Sequence, residues 1–206
     1  MLHTNTVEGG TLELLKSISA HPGFSNFYLA GGTALALQIG HRKSMDLDFF
    51  SILSFDENQI VGILESDFNA SIINQYQNTV LCSINGVKVD VISHQYEHLH
   101  ENTIIGGVCL ASIEDIAAMK LNAIVGRGSK KDFVDIFFLL AEYSLNQLIL
   151  FHKRKYPNQN DLLVLKSLTY FADADLDPEL IMIEKCHWDE VKQSVVEKVN
   201  NYIKGI

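Results

Sequence analysis

The sequence predicts an α+β protein, with its strands gathered before residue 112 and almost only helix after it. Three observations carry this. The strand-like segments, rich in β-branched residues, all fall between Phe27 and Leu110, whereas the pattern from Ser112 onward is helical. Asn85-Gly86 separates two apolar runs, a strong hairpin signal because both central residues of a type I′ turn need positive φ. Strands and helices are segregated along the chain, which favours α+β over a doubly wound sheet. The division predicts a mixed α/β unit over residues 1–111 and a helical one over 112–206.

In chain order, Leu12 to Ser19 reads as a short helix with Leu12, Leu15 and Ile18 on one side, ended by His21-Pro22-Gly23. Phe27 to Ala30 is a buried strand. Gly31-Gly32 is a turn, and Thr33 to Ile39 is a helix stopped by Gly40. Met45 to Ser51 is a strand, Asn58 to Phe68 a helix, and Ser71–Gln77 and Thr79–Asn85 are strands. Val87 to Ser93 is the return strand of the hairpin, and Thr103 to Leu110 is the last strand. Ser112 and Asp115 have the spacing of a capping box, so Ser112 caps a helix from Ile113 to Val125, which Gly126-Arg127-Gly128 breaks. Further helices are expected from near Lys131 to Tyr143, then at Leu145–Tyr156, Asp161–Phe171 and Trp188–Ile203. The stretch from Ala172 to Pro178 reads as an acidic loop, and Trp188 and Tyr170 as packing residues of the terminal helices.

The composition bounds the function. Hydrophobic residues make up 47% of the 206 and charged residues 20%, ordinary for a globular protein that needs no staples. The net charge of -9 argues against a protein that coats nucleic acid by bulk electrostatics. The basic clusters, Arg42-Lys43, Arg127 with Lys130-Lys131, and His152 to Lys155, read as solvated helix ends and loops. Cys82, Cys109 and Cys186 have no disulfide or zinc spacing, and the first two read as buried strand thiols. Neither a signal-peptide pattern nor a run of ~20 apolar residues is present, so a cytoplasmic protein without membrane association is expected.

Asp46-Leu47-Asp48 is the sharpest local feature. On a strand these two carboxylates share a face, with Cα atoms roughly 6.5 Å apart. Like charges so placed repel, and a divalent cation resolves the conflict. The pair by itself is also what a solvated edge-strand face looks like. Asp90 sits in the apolar strand VKVDVI, sharing a face with Lys88. Were this strand to pair beside Met45–Ser51, three carboxylates would lie together, enough to hold two metals ~3.5–4 Å apart for an in-line displacement at phosphorus. The alternative is a solvent-facing aspartate paired with Lys88. Gly31-Gly32-Thr33 joins a strand to a helix, where glycine admits a phosphate close to the backbone and the first helical amides point at it. It could also be a plain tight turn. His94-x₃-His98 has zinc-like helical spacing but follows a strand and lacks a second ligand pair.

Taken together, Gly31-Gly32-Thr33, then Arg42-x-Ser44-x-Asp46-x-Asp48, then Asp90 resembles the nucleotidyltransferase superfamily related to DNA polymerase beta. Lys88-x-Asp90, Asp115 to Lys120, Asn122-Ala123, Arg127, Lys131-Asp132 and Asp135 before Phe137-Phe138-Leu139-Leu140 narrow the resemblance to the AbiEii toxin family, the toxin halves of bacterial abortive-infection pairs. The resemblance spans Tyr28 to Tyr143; from Leu145 onward no motif is recognised. It implies a nucleotidyltransferase-like mixed sheet with flanking helices, then a helical bundle closing the active-site cleft. It implies an enzyme moving a nucleoside monophosphate from an NTP to RNA (such as tRNA) or protein. Asp46, Asp48 and Asp90 would bind Mg²⁺, two ions in all, with Mn²⁺ as a substitute. Gly31, Gly32 and Thr33, with Arg42 and Ser44 of the same motif, would serve the nucleotide. Lys120 and Arg127 would reach the triphosphate, and Lys131, Asp132 and Asp135 complete the last motif. A small helix-turn-helix antitoxin encoded nearby is the implied partner. Two other readings fit the same residues: a non-catalytic nucleotide-binding module, and a small-molecule nucleotidyltransferase of the antibiotic-modifying kind. By spacing alone, Asp132 could cap its helix and Asp135 could pair with Lys131.

Overall fold

A computed structural model describes residues 1–205. The chain clusters into two compact units. The first comprises Met1–Glu97 and Glu101–Ala111; the second comprises His98–His100 and the chain from Ser112 onward.

The first unit opens with helix α1 (Gly9–Ala20), which begins earlier than its apolar spacing suggests and buries Leu15 and Ile18. Strand β1 (Tyr28–Ala30), helix α2 (Gly31–Ile39), strand β2 (Leu47–Ser51) and helix α3 (Glu57–Phe68) follow. The glycines are the first residues of α2, not a turn before it, and Gly40 closes it in the left-handed region. Asp56 caps α3 by accepting from the Asn58 and Gln59 amides, and Asn69 ends it at φ 52°. Next come β3 (Ser71–Tyr76), β4 (Thr79–Ile84), β5 (Val87–Ser93), β6 (Thr103–Ile105) and β7 (Val108–Leu110). Asn85 and Gly86 both have positive φ, as the β4–β5 hairpin requires. The single strand expected over Thr103–Leu110 is instead a second hairpin. Gly106 and Gly107, at φ 61° and 83°, fold it back on itself.

The seven strands form one sheet in the order β3-β4-β5-β2-β1-β7-β6. β2 runs antiparallel to β1 and parallel to β5, and β1 runs parallel to β7. Strand alternation sorts the side chains. Leu47 and Phe49 of β2 pair with Val89 and Val91 of β5, and all four are buried. Each such buried side chain contributes about 1.5–3 kcal/mol of hydrophobic stabilisation. The intervening positions, Asp48 and Phe50, pair with Asp90 and Ile92 and point to the opposite face.

The second unit holds α4 (Ile113–Gly126), α5 (Lys130–Glu142), α6 (Leu145–Lys155), α7 (Asp161–Ser167) and α8 (Trp188–Lys204). α7 stops short of the expected Phe171. Ser112 caps α4, its hydroxyl accepting from the Asp115 amide at 3.0 Å. The Asp115 carboxylate does not close a reciprocal box at the cap. It accepts from the Leu99 and His100 amides and from the Lys155 ammonium at 2.6 Å, which fixes the short 98–100 segment onto this unit. Phe133, Phe171 and Trp188 pack ring against ring, whereas Tyr170 is exposed rather than packed.

Burial corrects the reading of the basic clusters as solvated at four positions, while Arg127, Lys153 and Arg154 are exposed. Arg42, Lys130, His152 and Lys155 are all buried. Cys82 is a buried strand thiol as expected, but Cys109 is only half-buried. Residues 94–102 form neither helix nor strand, so His94 and His98 do not have helical geometry. Among the described residues no single helix is long and apolar enough to cross a membrane.

Candidate active site

The parallel β2–β5 pairing sets Asp48 directly opposite Asp90. Paired strands lie about 4.8 Å apart, so the two carboxylates leave the sheet as neighbours on one face. Asp90 is buried, and its Oδ1 has no hydrogen-bond partner, an expensive state for an acceptor unless something else is meant to meet it. Its Oδ2 accepts from the Lys88 ammonium at 2.6 Å. Lys88 is two residues away on the same face of β5, as the alternation predicts, and its side chain is 52% exposed. Burial alone would lower the Lys88 pKa. It is nevertheless raised, by the hydrogen bond to Asp90 and by the fields of Asp90, Asp48 and Asp46. Asp90's charge also acts on the far side: the Cys82 thiol is pushed up to about 11, first by burial and then by Asp90.

Asp46 lies just before β2 rather than within it, so the expected strand over Met45–Ser51 begins two residues late. The segment before β2 is tied to the start of α2. Thr33 is fully buried; its hydroxyl bonds the Ser44 hydroxyl at 2.8 Å and donates to the Asp46 backbone carbonyl. Its hydroxyl is thus engaged in holding the acidic loop in place. Arg42, also buried, donates to the Lys43 carbonyl at 3.0 Å, and Ser44 is anchored through its amide to the Thr6 carbonyl.

The two glycines are packed against these groups. A Cβ on Gly31 would fall 2.5 Å from Asp48 Oδ2, and one on Gly32 would fall 2.6 Å from Arg42 Nη2 and 3.4 Å from Ser44 Oγ. Gly31 also has φ +69°, a conformation in which only glycine is unstrained. The strand-to-helix junction thus brings the start of α2, whose first amides lack intrahelical acceptors, up to Asp48.

The donor set suits a hard cation. Mg²⁺ is usually held by one or two carboxylates together with phosphate and water oxygens, and Asp48 with the open Oδ1 of Asp90 meets that description. A closed cage is not formed. Among the described residues no three His, Cys, Asp or Glu side chains are grouped so as to hold a metal by themselves.

The other motif residues lie in the helical unit and form a buried charge network. The Lys120 ammonium is 2.8 Å from Asp132 Oδ1 and 2.6 Å from Asp135 Oδ2, with Lys120 4% exposed and both aspartates fully buried. Arg127 grips Asp132 with two nitrogens, at 3.0 and 3.3 Å, and the Ser129 hydroxyl donates to Asp132 at 2.8 Å. Burial would raise the Asp132 pKa, but Lys120 and Arg127 hold it below the usual range. Lys120 is engaged inside the unit by two buried carboxylates, and Asp135 meets it across helices. Arg127 keeps a side chain 59% exposed, and Lys131 is half-buried. The adjacent Lys130 is buried against the Asp177 carbonyl and the Glu179 carboxylate, bonds no sequence motif announced.

Comparisons with known proteins speak to the family and the fold. A family model described as "Nucleotidyl transferase AbiEii toxin, Type IV TA system" matches residues 13–201, well beyond the span from Tyr28 to Tyr143 that carries recognisable motifs. The Aquifex aeolicus protein aq_aa25 is 35% identical over 194 residues, covering 88% of this chain and 90% of its own length. Among solved structures, JHP933 from Helicobacter pylori shares the fold with a TM-score of 0.57 at 20% identity, over 97% of this chain and 94% of that one. The Mycobacterium tuberculosis nucleotidyltransferase toxin MenT4 does so with a TM-score of 0.55 at 13% identity, over 91% of this chain and 80% of its own.

Proposed function

Because the chain belongs to the AbiEii family of nucleotidyltransferase toxins, we propose that it moves a nucleoside monophosphate from an NTP to RNA, such as tRNA, or to a protein acceptor, releasing pyrophosphate in the cytoplasm. The observation that carries this reading is the in-register pairing of Asp48 with Asp90 beside Gly31. In this reading Asp48, Asp90 and Asp46 hold Mg²⁺, which would neutralise charge on the phosphates and on the leaving pyrophosphate. Asp90, with one oxygen open and buried, takes the proton of the attacking hydroxyl. The Gly31 and Gly32 amides bind phosphate oxygens at the start of α2, where backbone donors and the helix dipole favour an anion. Thr33, Ser44 and Arg42 fix the loop that carries Asp46 and Asp48. Within the helical unit Lys120 holds Asp132, which grips Arg127. A partner antitoxin of the helix-turn-helix kind would restrain the activity.

The test is label transfer. The protein is incubated with each of the four NTPs labelled at the α-phosphate, with Mg²⁺, and with total bacterial RNA or soluble protein. Label should enter a macromolecule, require the cation and be lost in Asp48→Asn. Label that never leaves the nucleotide pool, while NTP binding persists, would replace this reading with a nucleotide-binding module.

A further inference from the structure

Lys88 stands two positions before Asp90 on β5. It lies at the edge of the carboxylate site, half in solvent, and yet its ammonium sits 2.6 Å from Asp90 in the field of two more aspartates. Asp48 and Asp90 are forced into adjacency by strand register, so two negative charges must coexist on one face even when no cation has arrived. An isolated buried carboxylate is costly, and a hydrogen-bonded cation on the same strand removes most of that cost. The ammonium covers only Oδ2. The other oxygen of Asp90 stays buried with no partner, the atom on which an incoming cation can act while Lys88 is still in place.

We propose that Lys88 is a resident counter-ion of the carboxylate pair: it keeps the metal-free site folded and, by its positive charge, weakens the binding of a free divalent cation. A cation that arrives alone meets a site already part-neutralised. A cation that arrives on a triphosphate brings its own negative charge, which offsets the repulsion from Lys88, so loading of the site is coupled to the nucleotide. The inference rests on Asp48 and Asp90 being the metal ligands. It makes Lys88 a positioning residue, not a group that touches the reacting atoms. A lysine that merely supported the strand would give the opposite sign on substitution, because loosening the ligands would weaken metal binding.

Mn²⁺ serves as the probe, because its free ion is read directly by electron paramagnetic resonance. Titrations are run on the wild-type chain, Lys88→Met and Lys88→Arg without nucleotide, and thermal melts are run in chelator and in Mn²⁺. Lys88→Met should bind Mn²⁺ more tightly by roughly tenfold, as expected for removing one charge a few ångströms from a divalent ion in a part-solvated site. It should melt lower than wild type in chelator, and Mn²⁺ should raise its melting temperature by more than it raises the wild type's, through linkage. Lys88→Arg, which keeps the charge, should behave as wild type. Wild-type binding with equal or weaker binding by Lys88→Met overturns the counter-ion role and leaves the metal site standing. Failure of every variant to bind Mn²⁺, with folded protein by circular dichroism, overturns the metal reading itself and the counter-ion role with it.

Discussion

Asp48 and Asp90 face one another across a parallel strand pair, and the Lys88 ammonium is bonded to Asp90. The relationship makes the two aspartates unequal. Asp90 carries the buried, half-satisfied carboxylate, whereas Asp48 lies against the Gly31 backbone.

That inequality predicts different outcomes for neutral substitutions. Asp48→Asn should leave the metal-free melting temperature unchanged or raised, since it removes one of two neighbouring like charges. Asp90→Asn should lower it, because the partner of Lys88 is lost. Both should cut label transfer by about a hundredfold or more, the scale of losing one group that stabilises transition-state charge. Retained transfer in either variant at equal soluble protein would remove that residue from the site.

Gly31→Ala should destabilise the first unit by about 1–2 kcal/mol from its left-handed backbone alone, and its methyl group would push the Asp48 carboxylate aside. Gly32→Ala has no such backbone strain and meets only the end of the Arg42 side chain first. It should fold nearly as well and raise the KM for NTP more than it lowers kcat. Urea unfolding and steady-state kinetics on the two variants separate these effects. Equal stability of the two would refute the argument from φ.

Asp132→Ala strips a buried partner from Lys120 and from Arg127, and should cost the helical unit roughly 3 kcal/mol or more, the scale of breaking a buried ion pair. Asp135 remains beside Lys120, so the loss should fall short of that in an Asp132→Ala/Asp135→Ala double variant. Denaturant titration followed by Trp188 fluorescence reports on this unit directly. A midpoint unchanged in the single variant would show that the network contributes nothing net.

Stability should decline in two stages as pH falls, through different groups. The carboxyls of Asp115 and Asp132 are buried, which would raise them, but their cations and hydrogen bonds hold them below their ordinary values. Their contribution is therefore full above about pH 4, the unfolded carboxylate value, and is lost as pH falls through the lower folded values. His152 behaves otherwise. Burial, set only partly against the field of Asp161, lowers its pKa, and neither ring nitrogen has a hydrogen-bond partner. Below about pH 6.5 the unfolded chain takes up a proton that the folded one resists, so stability declines as pH falls from there. His98, also lowered by burial, adds to the same decline. Unfolding midpoints at pH 7.5, 6 and 5 should show it, and His152→Leu should reduce it. A flat profile in wild type over that range would contradict the burial of the His152 ring.

Much of this was legible in the residues. Alternation in Asp46-Leu47-Asp48 and in Val87 to Ile92 is enough to say which side chains meet if the two strands pair, and they do pair, residue for residue. Asn85-Gly86 gave its hairpin because positive φ is a local demand. The Gly106-Gly107 hairpin makes the same demand but was hidden inside a short apolar run with no polar turn residue. The helical network was not legible, because which aspartate Lys120 meets depends on how α4 and α5 pack, and spacing within one helix carries no such information. Thr33 looked like a ligand donor from its place after two glycines. Its orientation is set by Ser44 and Asp46, loop residues whose path no periodicity describes.

The strand order has a temporal consequence. β3 and β4 are made between β2 and β5, and β5 reaches β2 only as the partner of β4 on its other side. At roughly 5–20 residues per second of synthesis, β2 with Asp48 leaves the ribosome seconds before Asp90 exists. Parallel pairing at such separation is also slow to form. A nascent or truncated chain ending before β5 therefore carries one half of the carboxylate pair and no means of completing it, so a cell translating this protein is exposed to the assembled pair only once the hairpin has been laid down and docked.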